Sequence, residues 1–239
     1  MRDPLVLVPG IDGTGLLFYR QVPLLERRYA VTTTRLRDEA SRMDDLVADL
    51  HLAIAEASPD GRPVTLVGES FGGALTLSYA LAHPERVGRL VILNSFAHFA
   101  SPSRLWLGYH LVRATPWGMM GLLRQIGARR MHSPQTGRDE IQRFHDLMRG
   151  TTREGYLSRM KILRDYDIRH QLKSIAAPAL FLAADRDHLV PSVDQARLMQ
   201  SLTPGSTMRV LEGHGHSCLV APDMDLSVIL DEWTAREHR

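Results

Sequence analysis

The sequence predicts an α/β protein, a doubly wound and mostly parallel sheet interrupted by one helical insertion. Three observations predict it. Short apolar runs alternate with helix-length segments on both sides of the chain's middle, the pattern of strands joined by helices that cover both sheet faces. A serine bracketed by glycines sits directly between a strand-like run and a helix-like run. Between about residues 96 and 175 the alternation stops, and no clear strand is legible. The expected organisation is therefore a core of residues 1–95 and 176–239 with a helical lid over 96–175. At 239 residues and 44% hydrophobic content, the chain has enough apolar material for one domain with a full core.

Leu5 to Val8 is a continuous apolar run closed by Pro4 and Pro9, as expected of a strand buried on both faces. The loop Pro9-Gly10-Ile11-Asp12-Gly13-Thr14-Gly15 follows. It lacks the Gly-Lys-Ser/Thr of a phosphate loop, and its glycine spacing fails the dinucleotide pattern. Leu16 to Arg27 is expected to be helical and Tyr29 to Thr33 a strand. Met43 to Ala57 places Leu46, Val47, Leu50 and Ile54 at helical spacing, with acidic residues in its first turn. Val64 to Val67 reads as a strand, Ala74 to Ala82 as a helix, and Gly88 to Asn94 as the next strand. In the insertion, Leu105 to Arg130 mixes Trp106, Leu107, Tyr109, Leu111, Val112, Trp117, Met119, Met120, Leu122 and Leu123. Helical pieces are expected near Glu140 to Met148 and Arg153 to Asp165. These apolar side chains serve either to line an acyl or aromatic pocket or to pack the lid onto the core. Alternation resumes with the strand Ala179 to Ala183, the helix Val193 to Leu202, the strand Thr207 to Leu211 and the helix Leu226 to Glu237.

Composition narrows the function. A formal net charge of +2, with no long basic run, argues against a nucleic-acid partner. Cys218 is the sole cysteine, which rules out an intrachain disulfide and points to a reducing, cytoplasmic setting. No window approaches a membrane span, and no cofactor motif is present. The expected oligomeric state is monomer or homodimer.

The chemistry concentrates in Gly68-Glu69-Ser70-Phe71-Gly72. A serine on a sharp strand-to-helix turn needs small neighbours two residues away, and the turn lifts its hydroxyl to a helix N-terminus that favours developing negative charge. Downstream come an acid loop with Asp185 and Asp187, then a histidine loop with His214 and His216. Both follow late strands, whose carboxyl ends gather the sites of open α/β sheets. His214-x-His216 is also weighed as a metal pair, but no third ligand lies nearby in sequence.

With Gly68-Glu69-Ser70-Phe71-Gly72, Asp187 before Val190-Pro191, and Gly215-His216, the chain resembles the α/β-hydrolase superfamily over nearly its whole length. The resemblance implies Ser70 as nucleophile, Asp187 as acid and His216 as base. The family's spacings favour Asp187 over Asp185 and His216 over His214. An acid placed after the earlier strand, as in some members, would fall on Asn94. The resemblance further implies an oxyanion hole from the backbone N–H groups of Phe71 and Ile11, although Pro9 stands where many relatives have histidine. Two strands that usually precede the one at Leu5 are missing, so a trimmed sheet is expected, with Leu5–Val8 or Tyr29–Thr33 nearer its rim. The expected activity is hydrolysis of a small-molecule ester or acyl substrate with an apolar portion, without metal or organic cofactor. Acyltransferase, thioesterase or C–C hydrolase activity on the same residues, or ligand binding without turnover, are the alternatives. Pro9 to Gly13 also resembles a loop of plant phytyl-ester-synthase-type acyltransferases.

Overall fold

Successive residues of a strand face opposite sides of its sheet, and here both sides are apolar. The computed structural model describes residues 2–99, 101–120 and 131–237. Strands β1 (Asp3–Val8), β2 (Tyr29–Thr33), β3 (Val64–Glu69), β4 (Val87–Leu93), β5 (Ala179–Ala184) and β6 (Thr207–Leu211) form one sheet in the order β2-β1-β3-β4-β5-β6. Every adjacent pair is parallel. Val6, Val8, Leu66, Leu90, Ile92 and Phe181 turn to one face, packed with α2 (Met43–Ala57), α3 (Phe71–Ala82) and α7 (Ser192–Leu202). Leu5, Leu7, Val67, Val91, Leu93 and Leu180 turn to the other, against Phe18, the single turn α1 (Val22–Leu25) and α8 (Leu226–Glu237). Burying each such aliphatic or aromatic side chain contributes about 1.5–3 kcal/mol, and a parallel sheet needs this cover on both faces.

Of the two strands expected near the rim, β2 is the edge strand, with its residues half-buried or exposed, and β1 lies inside. The helix expected over Leu16–Arg27 divides in two, a 3-10 turn at Leu16–Phe18 and α1. Pro23 is the reason: with no N–H and a ring that crowds the preceding turn, it tolerates only the start of a helix.

Between β4 and β5 lie α4 (Pro102–Ala114), a 3-10 turn at Trp117–Met119, α5 (Arg138–Met148), α6 (Arg153–Arg164) and a 3-10 stretch at Arg169–Ser174. Among the described residues here, β pairing is limited to an isolated antiparallel bridge between His98 and Asp167. Leu122, Leu123 and the rest of the apolar run up to Arg130 lie outside the described residues. Helix α4 shows that the insertion's apolar side chains are divided in use. Leu105 and Val112 are buried, whereas Trp106, Leu107 and Leu111 are more than half exposed. Met160, Ile162 and Leu163 of α6 join the core beneath it. Among the described residues, no helix is long and apolar enough to cross a membrane.

Candidate active site

Ser70 stands between the last residue of β3 and the first of α3 with φ 54° and ψ −120°. A left-handed φ at a residue with a Cβ costs on the order of 1–3 kcal/mol and persists only where surroundings impose it. They do so here. The Ser70 N–H donates to the Leu93 carbonyl (2.9 Å), and its own carbonyl accepts from the Ser95 hydroxyl (2.6 Å) and the Gly73 N–H (3.0 Å). Gly72 lets β1 approach: a Cβ there would press into the Val8 and Pro9 carbonyls. A Cβ on Gly10, in the loop after β1, would stand 3.3 Å from the Ser70 Cβ. The loop bearing Ile11 is thus pressed against the turn that carries Ser70. Phe71 opens α3, so its N–H has no acceptor within the helix. Gly72→Ala is expected to force that loop off the helix and cost about 1–3 kcal/mol, as overpacking does. Thermal denaturation would check it.

The other two loops converge on the hydroxyl. Asp187 follows β5, and its side chain is fully buried. One carboxylate oxygen accepts the N–H groups of Leu189 (2.8 Å) and Val190 (3.0 Å), and the other accepts the Ser192 hydroxyl and His216 Nδ1 at 2.7 Å. A carboxylate only accepts, so Nδ1 carries the hydrogen. Nε2 of the neutral ring then faces Ser70 Oγ at 3.1 Å as acceptor. Asp185 points elsewhere: it is exposed and takes the Gly213 N–H at 2.7 Å, pinning the histidine loop. His214 also turns away, to the Ser133 hydroxyl at 2.9 Å. His188 is exposed.

Three contributors escaped the sequence reading. Asn94, which has φ 47° and is fully buried, donates to the His216 carbonyl (2.8 Å) and accepts the Ala184 N–H (2.8 Å). It ties the ends of β4 and β5 to the histidine loop. Arg159 of α6 has a side chain only 1% exposed. It donates to the carbonyls of Ile11 (2.8 Å) and Asp12 (3.2 Å) and pairs with Asp38 at 3.2 Å. A signal for it existed: Gly155, Arg159 and Leu163 recur at four-residue spacing on the buried face of α6, an unexpected place for a charge. Glu69, beside Ser70, places Oε1 3.6 Å from His216 Nε2.

Charge sets the site's proton affinities. Burial works to lower His216, but the Asp187 charge and hydrogen bond, helped by the Glu69 charge, outweigh it and hold the imidazole up to about 9. Burial also opposes ionisation of Asp187, yet its contacts with His216 and Ser192 keep it below the usual carboxylate value. Ser70 itself is 7% exposed. A cavity of about 1170 Å³ between α2, α3, α4 and α6, lined by Met43, Leu81, Trp106, Tyr109 and Tyr166, does not include it. A smaller one of about 160 Å³, between Phe96, Phe99 and Leu189, reaches the Asp187 loop.

The sequence and the fold have counterparts in known proteins. The profile of the family described as serine aminopeptidase, S33, matches residues 32–223. A protein of Escherichia coli O157:H7 named "Putative carbamate hydrolase RutD" is 26% identical, over 94% of this chain and 88% of its own. The pimeloyl-[acyl-carrier protein] methyl ester esterase of Photobacterium profundum is 28% identical, over 91% of this chain and 89% of its own. Among solved structures, the enol-lactonase of Burkholderia xenovorans superposes with a TM-score of 0.84 at 20% identity, covering 98% of this chain and 92% of that one. A thermophilic esterase of Thermogutta terrifontis gives 0.85 at 17% identity, covering 99% and 91%. With the profile spanning most of its length and the same fold in both neighbours, the chain belongs to the serine aminopeptidase (S33) family of α/β-hydrolases.

Proposed function

We propose that the protein hydrolyses carboxylic esters by two successive acyl transfers, with Ser70 as nucleophile, His216 as general base and Asp187 as its orienting acid. The observation that carries the reading is the buried line from Ser70 Oγ to His216 Nε2 (3.1 Å) and from Nδ1 to Asp187 (2.7 Å). His216 takes the hydroxyl proton as Ser70 attacks the ester carbonyl, and Asp187 stabilises the imidazolium that forms. The Phe71 and Ile11 N–H groups receive the oxyanion, each worth about 3 kcal/mol when aligned. The imidazolium then protonates the leaving alcohol, and water repeats the sequence on the acyl-enzyme. The relatives' names support the bond class, since an ester, a lactone and a carbamate each present a carbonyl carbon bearing a heteroatom leaving group.

Residues 96–175 act as a helical lid in this reading. Two of its contacts support that role. Arg159 holds the carbonyls beside the proposed oxyanion donor, and the Met131 carbonyl accepts the Ser217 N–H at 2.8 Å next to His216. The apolar insertion suits a substrate with an apolar portion. The buried, lone Cys218 thiol fits a reducing, cytoplasmic setting.

The test is a fluorophosphonate probe together with p-nitrophenyl esters of rising acyl length. Phosphonylation of the Ser70 peptide, read by mass spectrometry, and turnover with a chain-length optimum are expected. Folded protein that is neither labelled nor active is a binding module, and the proposal fails. Product diverted mainly to an added alcohol would make it an acyltransferase instead.

A further inference from the structure

Glu69 lies between Gly68 and Ser70, and the acyl-transfer steps above do not use it. Its side chain is 14% exposed, and its carboxylate accepts the Gly10 N–H. Oε1 lies 3.6 Å from His216 Nε2, the nitrogen that also faces Ser70. The imidazole is therefore held between two carboxylates, Asp187 at Nδ1 and Glu69 at Nε2. Other charged or titratable groups act on Glu69 from each surrounding loop: Asp12 after β1, Asp187 after β5, and His216 and the Cys218 thiol after β6. Arg159 of α6 offsets Asp12.

A neutral imidazole presents a lone pair at Nε2. An ionised Glu69 beside it is repelled, and a proton placed on Nε2 turns that repulsion into attraction. We propose that Glu69 is a positioning residue that holds a proton on His216 Nε2, so that it sets the pH above which Ser70 becomes activated and steadies the imidazolium once the serine proton has moved. The inference rests on the proposed roles of Ser70 and His216. Burial, offset in part by His216, lifts Glu69 itself to about 7, and its charge is among the causes that raise His216. These directions agree with a proton shared across the pair, whose apparent titrations belong to the cluster.

The sign follows. Glu69→Gln keeps the size and an acceptor for Gly10 but loses the charge. The acid limb of kcat/KM for a p-nitrophenyl ester is expected to move down by about one pH unit or more, with a lower plateau at high pH. Activity below the wild-type limb thus rises although the maximum falls, a pattern that simple structural damage does not produce. Glu69→Asp, which keeps the charge on a shorter arm, should fall between. In parallel, NMR titration of the His216 imidazole in a Ser70→Ala background, with and without Glu69→Gln, reads the proton directly and needs no turnover. A limb and an imidazole titration that both stay at their Glu69 positions overturn the inference. If no ester is turned over, the proposed function fails, while the NMR titration still decides the role of Glu69.

Discussion

Ser70→Ala is expected to lower kcat/KM for a hydrolysed ester on the order of 10⁴–10⁶-fold, the range for losing a nucleophile that acts as one unit with its base. Folding should be little affected. The substitution keeps the Cβ and the backbone bonds to Leu93, Ser95 and Gly73, and removes the oxygen that faces His216. His216→Ala should cost nearly as much, and the double variant little more than either, because neither group works without the other. Steady-state rates of the four proteins check this. Activity of Ser70→Ala within tenfold of wild type, or additive losses in the double variant, would remove Ser70 from the nucleophile's role.

Arg159→Met is expected to damage both folding and catalysis. Arg159 bonds the insertion to the loop after β1, and its removal leaves Asp38, with a side chain 20% exposed, without this cation. Breaking a buried pair costs about 3–5 kcal/mol, and the residual exposure of Asp38 places this case toward the lower end. The carbonyls of Ile11 and Asp12 also lose their donors, so the proposed oxyanion donor is no longer held in place. A displacement of about 1 Å there is worth about 10²-fold in kcat, with KM little changed. Denaturant midpoints and kcat separate the two effects. Asp38→Asn added to Arg159→Met should recover part of the stability and none of the kcat. If it restores both together, Arg159 serves folding alone. Arg159→Lys keeps the charge but not the planar fork, and should recover stability better than rate.

The sequence alone carried the layered architecture, because the signals that announce it are local. Leu5 to Val8 between two prolines, or Ala179 to Ala183, is apolar at every position, as expected of a strand covered on both faces. The strand–Ser70–helix turn is likewise local, since glycines at 68 and 72 are what let it close. What is local stops there. Pro23 cut short a helix that apolar spacing alone would have continued. Which of Asp185 and Asp187, or of His214 and His216, meets the serine depends on loops brought together by β5 and β6, whose side chains diverge within two residues. In the sequence, only a family resemblance favours Asp187 and His216. The partnership of Arg159 with Ile11 spans 148 residues, and that of His216 with Glu69 joins two strand ends far apart in the chain. Periodicity reports how much apolar surface a segment must bury. It carries no information about which distant charge will face it, and only the packed tertiary structure decided that.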